Sequence, residues 1–259
     1  MKRFYRLLNY DFNIIFRFMC GISLILIIGQ NLLLSSYVSN NSRLAYIPFD
    51  KLVDMSGVPF VFYFCMVMSA ACCVYSVVVN FMGSKSIYTL MSLPGMRKKV
   101  YFSKLTAGAA ALLMLFAAQL ISIFIGYMLF STSIITYENG IVTSERPVNG
   151  LFLAFTRSEF LRVLFPISPE SFISTAAIII SVLCGIYFVM DCIQSGKYVN
   201  ILITFINIVT VIYIINYRVN ELRGLKHHNL YIFSIFFIAV SVYYIWQSIT
   251  WIEQGKNLG

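Results

Sequence analysis

The chain has 259 residues, of which 59% are hydrophobic and 11% are Asp, Glu, Lys or Arg, against roughly 45–50% and about 25% in an ordinary soluble domain. That balance excludes a water-soluble globular domain as the main structure. The 19 Lys and Arg outnumber the 10 Asp and Glu, but they sit between apolar blocks, where they act as orientation signals, so no nucleic-acid partner is expected.

In chain order the apolar residues form six blocks, over 18–37, 58–81, 105–130, 172–190, 198–217 and 230–249. About 20 apolar residues wound as a helix cross the roughly 30 Å hydrocarbon layer. Backbone groups in lipid need internal partners, so each block is expected to be helical. The fold class read from this is all-α, a polytopic membrane protein with about six transmembrane helices. Residues 1–259 read as a single transmembrane domain, with no linker, low-complexity tract or internal repeat dividing them.

Residues 1–17 precede the first block. On a helix Lys2, Arg3, Arg6, Asn9, Tyr10, Asn13 and Arg17 share one arc, Phe4, Tyr5, Leu7, Leu8, Phe12, Ile14, Ile15 and Phe16 fill the other, and only Asp11 is out of place. This pattern predicts an amphipathic interfacial helix along the membrane surface, cations toward the headgroups. A plain extension of the first span is the alternative. The basic start and apolar block look like a secretory signal, but there is no Ala-x-Ala site and more spans follow, so the segment is expected to be retained.

Between the second and third blocks, residues 83–104 read GSKSIYTLMSLPGMRKKVYFSK. Ser84 or Ser86 can cap a short helix through Ile87, Leu90 and Met91, which Pro94 and Gly95 would end, and Arg97, Lys98, Lys99 and Lys104 lead into the next span. Ile87, Tyr88, Leu90 and Met91 need cover, either from the bilayer surface or from a docked partner.

The largest loop on the other side, residues 131–171, holds Glu138, Glu145, Glu159 and Glu170 against Arg146, Arg157 and Arg162. Its stretch 151–165 is too charged to span and too apolar to be solvated, which predicts an interfacial or re-entrant piece on the outer face. With the N-terminus inside, Lys2, Arg3, Arg6, Arg17, Lys85, Arg97, Lys98, Lys99, Lys104, Lys197 and Lys256 lie on the inner side. They outweigh the outer set, despite Arg218, Arg223 and Lys226, so both termini are expected to be cytoplasmic.

No catalytic constellation is present, and the chain is not expected to be an enzyme or to bind a metal. His227 and His228 are adjacent in a short outer loop and read as surface residues. Gly196-Lys197-Tyr198 is like the end of a phosphate-binding loop, but Asp191 stands where that motif needs its first glycine and Tyr198 where it needs Ser or Thr. Asp191 and Glu253 lie at span ends, not mid-span, which argues against a proton-coupled transporter or ion pump. Cys20, Cys65, Cys72, Cys73, Cys184 and Cys192 all fall in or beside apolar segments and read as small hydrophobes.

The spans carry polar stripes. Asn200, Thr204 and Asn207 share a face of the fifth, and Gln119, Ser122 and Gly126 a face of the third. Ser122-x-x-x-Gly126 and Ser181-x-x-x-Gly185 have the small-residue spacing of close helix contacts. Gln119, Ser122, Asn200, Thr204 and Asn207 therefore line either helix contacts or a substrate pathway.

The order of parts resembles the type-2 ABC transporter permeases, the six-span transmembrane subunits of ABC exporters. The likeness rests on FYRLLNYDFNIIFRF as an elbow helix, two spans, the loop TLMSLPGMRKKVYFSKL and four further spans. The resemblance implies that 84–93 is a coupling helix, with Ile87, Tyr88, Leu90, Met91, Leu93, Pro94, Gly95, Arg97, Lys98 and Lys99 contacting a cytoplasmic ATPase subunit. It also implies a second permease subunit, identical or related, and ATP with Mg2+ held by the partner ATPase, so that no cofactor is bound by this chain. The expected function is export of a peptide, antibiotic or lipid-like substrate across the cytoplasmic membrane. Many members place their largest external structure between the fifth and sixth spans, whereas here the long outer loop precedes the fourth. An ATP-independent channel, or a binding or immunity protein of the same topology, is the alternative, and an intramembrane enzyme is third.

Overall fold

The computed structural model describes residues 2–40, 48–82, 97–133, 137–138, 141–142, 150–220 and 230–253. Six helices among them are long and apolar enough to cross a membrane. They are α1 (Lys2–Asn40), α3 (Val58–Met82), α4 (Arg97–Ser133), α7 (Pro169–Gln194), α8 (Ile201–Asn220) and α9 (Leu230–Glu253). Short helices α2 (Phe49–Met55), α5 (Gly150–Arg157) and α6 (Glu159–Leu164) lie between spans, and a 3-10 turn, Tyr198–Asn200, leads into α8. The six apolar blocks of the sequence all appear as helices, most of them extended by several residues at one or both ends.

Helix α1 is continuous over 39 residues, about 58 Å at 1.5 Å per residue and well beyond what a span needs. The N-terminal amphipathic segment is thus the first part of α1 and is not set off from the span by a break. The sequence explains the continuity, because no proline or glycine occurs before Gly21. Along it Arg6, Asn9, Asn13 and Arg17 are exposed and Ile15 is buried with Leu8 and Phe12 packed beside it, while Tyr5 and Phe16 of the apolar arc are exposed as well.

Two groups of helices build the bundle. In the first, α1 runs along α4 and against α3, and in the second α7 packs along α9 and against α8. Contacts of α7 with α3 and α4, and of α9 with α4, join the groups. Phe188 stacks on Tyr244 at 4.7 Å and on Trp251 at 5.6 Å, which fixes α7 beside α9. Outward, Leu24, Ile28, Phe60, Val67, Leu202, Phe205, Ile232 and Ile235 are all more than half exposed, the surface that suits hydrocarbon and not water.

Alternation of the spans brings the start of α1, the start of α4 and the ends of α7 and α9 to one end of the bundle, where Lys104 meets Asp11 and Asp191. At the opposite end α2, α5 and α6 form a cap. The stretch 151–165, read as interfacial, is these two helices α5 and α6, broken at Ser158 and buried through Ala154, Phe160 and Leu161. Phe160 and Phe165 meet Phe62 of α3 and Phe116 of α4, with ring centroids 5.5 and 6.0 Å apart. Helix α2 was not expected from the sequence, although Phe49, Leu52 and Val53 show the i, i+3, i+4 spacing that would have revealed it. It ends at Gly57, whose φ of 81° is a left-handed stop open to glycine.

One departure from an all-helical chain is a two-residue pairing, β1 (Tyr137–Glu138) antiparallel to β2 (Ile141–Val142). Asn139-Gly140 between them is the residue pair that hairpins favour.

Candidate functional site

Polar side chains gather at four levels inside the bundle. Nearest the end that holds the start of α1, Asp11 accepts a 2.7 Å hydrogen bond from the Ser103 hydroxyl of α4. Next to Ser103, Lys104 is buried and interacts electrostatically with Asp11 and with Asp191 of α7. The Tyr187 hydroxyl donates 2.9 Å to the Lys104 main-chain carbonyl. Asp11, the one residue out of place on the amphipathic wheel, is out of place because it faces α4 and not the membrane surface. Charges inside a bundle are costly unless they are paired, and here one ammonium serves two carboxylates from two other helices.

Toward the capped end, Gln30 of α1 donates through Nε2 to Gln119 Oε1 of α4 at 2.7 Å and to the carbonyl of Val58, the first residue of α3, at 3.2 Å. Asn31 donates to the Ser122 hydroxyl at 3.3 Å. At Gly126 a Cβ would stand 3.3 Å from Asn31 Oδ1, so the Ser122-x-x-x-Gly126 spacing meets α1 at close range. In the second group, Asn207 Nδ2 donates to Ser181 Oγ at 2.9 Å, and a Cβ on Gly185 would stand 3.4 Å from Thr204. Gln119, Ser122, Thr204 and Asn207 are therefore buried between helices, while Asn200 is partly exposed in the 3-10 turn.

At the capped end, Asp54 of α2 accepts from Ser158 Oγ at 2.6 Å and from the Glu159 amide at 3.2 Å, and Ser158 caps α6 by accepting from the Leu161 amide at 3.2 Å. Burial lifts the Asp54 carboxyl above its ordinary range, the Ser158, Glu159 and Phe160 donors pull the other way, and the Glu159 carboxylate adds to the rise. Close by, Arg162 donates to the Arg218 carbonyl at 2.9 Å, and Arg218 donates to Thr175 Oγ1 at 2.8 Å and Val163 O at 3.4 Å. These two arginines, with Glu170, Ser171 and Thr156, line an open cavity of about 690 Å3, within the size range of small-molecule sites.

Of the residues picked out for ATPase contact, Lys98 and Lys99 are exposed at the start of α4. Ile87, Tyr88, Leu90, Met91, Leu93, Pro94 and Gly95 lie outside the described residues, as do most of the 131–149 loop and His227 and His228. Arg97 begins α4. Sequence reasoning set Asp11 apart on the wheel but did not join it to Lys104 and Asp191, because the three come from separate helices far apart in the chain.

Compared with known families, curated proteins and solved structures, the chain matches none. Its class follows from the helices themselves: a multi-pass α-helical membrane protein with six candidate spans.

Proposed function

We propose that the chain is the transmembrane permease subunit of an ATP-driven exporter of the cytoplasmic membrane, with both termini cytoplasmic. It would work with a separate ATPase subunit, which holds ATP and Mg2+, and with a second permease subunit, and would move a peptide, antibiotic or lipid-like substrate. The observation that carries this reading is that the helix ends flanking residues 83–96, Met82 of α3 and Arg97 of α4, lie at the bundle end where α1 begins and α9 ends. Exposed Lys98 and Lys99 flank that segment there, and Arg6, Arg17 and Lys197 belong to the same end, the distribution that marks a cytoplasmic face.

A push on that segment reaches α4 directly. A few residues further along α4, Ser103 and Lys104 bond to α1 and attract α7, so a shift of α4 is passed to both helix groups through one buried cluster. This gives an ATPase docked on the segment a mechanical route into the bundle without any catalytic group on this chain. Basic residues at the same end keep the segment in the cytoplasm.

The 690 Å3 cavity at the far end favours a second reading, an ATP-independent binding or immunity protein that holds its ligand at Arg162 and Arg218. Purification of the chain from its native membrane separates the two. The exporter reading expects a stoichiometric nucleotide-hydrolysing subunit in the complex, and its absence under several mild detergents would favour the second.

A further inference from the structure

We infer that Gln30 and Asn31 of α1 and Ser122 of α4 form a binding site for one water molecule, which bridges the two helices near the capped end. The three side chains line a small cavity of about 10 Å3, and Phe49 and Val53 of α2 add apolar walls. A single water needs about that much room, and anything larger is excluded. Every residue lining the cavity is buried except Asn31, which is partly buried. Yet two oxygens there, Gln30 Oε1 and Asn31 Oδ1, are enclosed by protein and accept no hydrogen bond among the described residues. Turning the amides over does not supply one. Gln30 Nε2 is held by the Val58 carbonyl and by Gln119 Oε1, and Asn31 Nδ2 by the Ile27 carbonyl at 2.8 Å, so a turned amide would set oxygen against oxygen. Buried polar atoms are nearly always satisfied, so two orphaned acceptors at one cavity mark the place of a donor.

A water supplies two O–H donors, one for each oxygen. The Ser122 hydroxyl accepts from Asn31 Nδ2 at 3.3 Å, which leaves its own proton for the lone pair of the water. That completes about three hydrogen bonds, the usual complement of a buried water. A sodium ion would meet the same oxygens, but no carboxylate lines the cavity to balance its charge. Gln119 Nε2, a donor without a partner among the described residues, also sits on the side chain bonded to Gln30 and would oppose a cation. A neutral ligand that donates twice fits this wall, whereas a bare charge inside a bundle set in lipid is costly. The bridge stands where Gly126 brings α4 against Asn31, so it fastens two helices already in close contact. It is independent of the exporter proposal and survives the failure of that reading.

The test uses the full chain, labelled with 15N at Gln and Asn side chains, in detergent micelles. Magnetisation transfer from water to the side-chain amide protons is measured by NMR, once in choline chloride and once in sodium chloride. The Gln30 amide is expected to show a cross-peak with the sign of a water that tumbles with the protein, equal in the two salts. Asn31→Leu removes one acceptor and should abolish it. Ser122→Ala leaves both acceptors and should weaken the cross-peak without abolishing it, which separates a bound water from proton exchange relayed by the hydroxyl. Should Asn31→Leu fail to fold, the parent chain in the two salts and Ser122→Ala decide. Absence of the cross-peak in the parent, its complete loss in Ser122→Ala or its persistence unchanged in Asn31→Leu would overturn the site. So would a cross-peak that vanishes in sodium chloride while the Gln30 and Asn31 resonances shift, since a cation would then hold the cavity.

Discussion

A Cβ placed on Gly108 would stand 2.7 Å from the Tyr187 hydroxyl and 3.0 Å from Leu183, so α4 and α7 meet at a distance that only glycine allows. The same hydroxyl is held by the Lys104 carbonyl one turn earlier, which keeps it from moving aside. Gly108→Ala is expected to destabilise the protein by about 1–3 kcal/mol, the cost of forcing one methyl into a packed contact. Thermal unfolding in detergent measures it. Tyr187→Phe in the same chain should recover part of the loss, because it removes the nearer of these two contacts. Full stability of Gly108→Ala would mean that the two helices are further apart.

The amide pair between α1 and α4 should be coupled. Gln30→Leu and Gln119→Leu each strand a buried amide and are expected to cost about 1–2 kcal/mol. The double variant strands none of that pair and should cost less than the sum. A double-mutant cycle in unfolding free energy measures the coupling, and strict additivity would place the two side chains apart.

Asp54 sets a pH dependence at the capped end. Its carboxyl is raised by burial in the folded state, so the folded protein holds this proton more tightly than the unfolded chain does. Stability from this group is therefore present at low pH and is lost as pH rises from the ordinary carboxylate value through the raised one. Asp54→Asn should flatten that slope in the unfolding temperature. A slope of opposite sign in the parent, removed by the same substitution, would mean that the Ser158 and backbone donors outweigh burial.

The six-span arrangement places Met55 and Lys98 at opposite ends of the bundle, and Met55 is 63% exposed. With the six native cysteines replaced by alanine, Met55→Cys and Lys98→Cys should react with a membrane-impermeant thiol reagent from opposite sides, Met55→Cys from outside intact cells. Labelling of both from one side would contradict the arrangement.

The spans were legible because hydrocarbon imposes a length and a composition that few other structures share. Continuity of α1 was not, since the arc of Arg6, Asn13 and Arg17 fits a surface helix as well as an extension, and only its packing on α4 distinguishes them. Asp11 carried the signal, as a carboxylate on an apolar face needs a partner, but the partner is 92 residues away. Lys104 and Asp191 were illegible for a related reason: each is ordinary in its own helix, and their attraction exists only where α4 and α7 meet. Asp54 and Ser158 likewise come from separate loops, joined by an apolar cap whose aromatic content was visible but whose contacts were not.

The most direct test of the exporter account is the binding of the ATPase that co-purifies with the native chain to a variant carrying Ile87→Ala, Leu90→Ala and Met91→Ala. Buried anchors at an interface hot spot cost about 2 kcal/mol or more when truncated, while rim charges cost much less. The triple variant is expected to insert normally in the membrane, to lose more than roughly tenfold in affinity for the ATPase and to lose substrate-linked ATP hydrolysis, whereas Lys98→Ala with Lys99→Ala should keep most of the binding. A triple variant that binds and hydrolyses ATP like the parent would contradict the account.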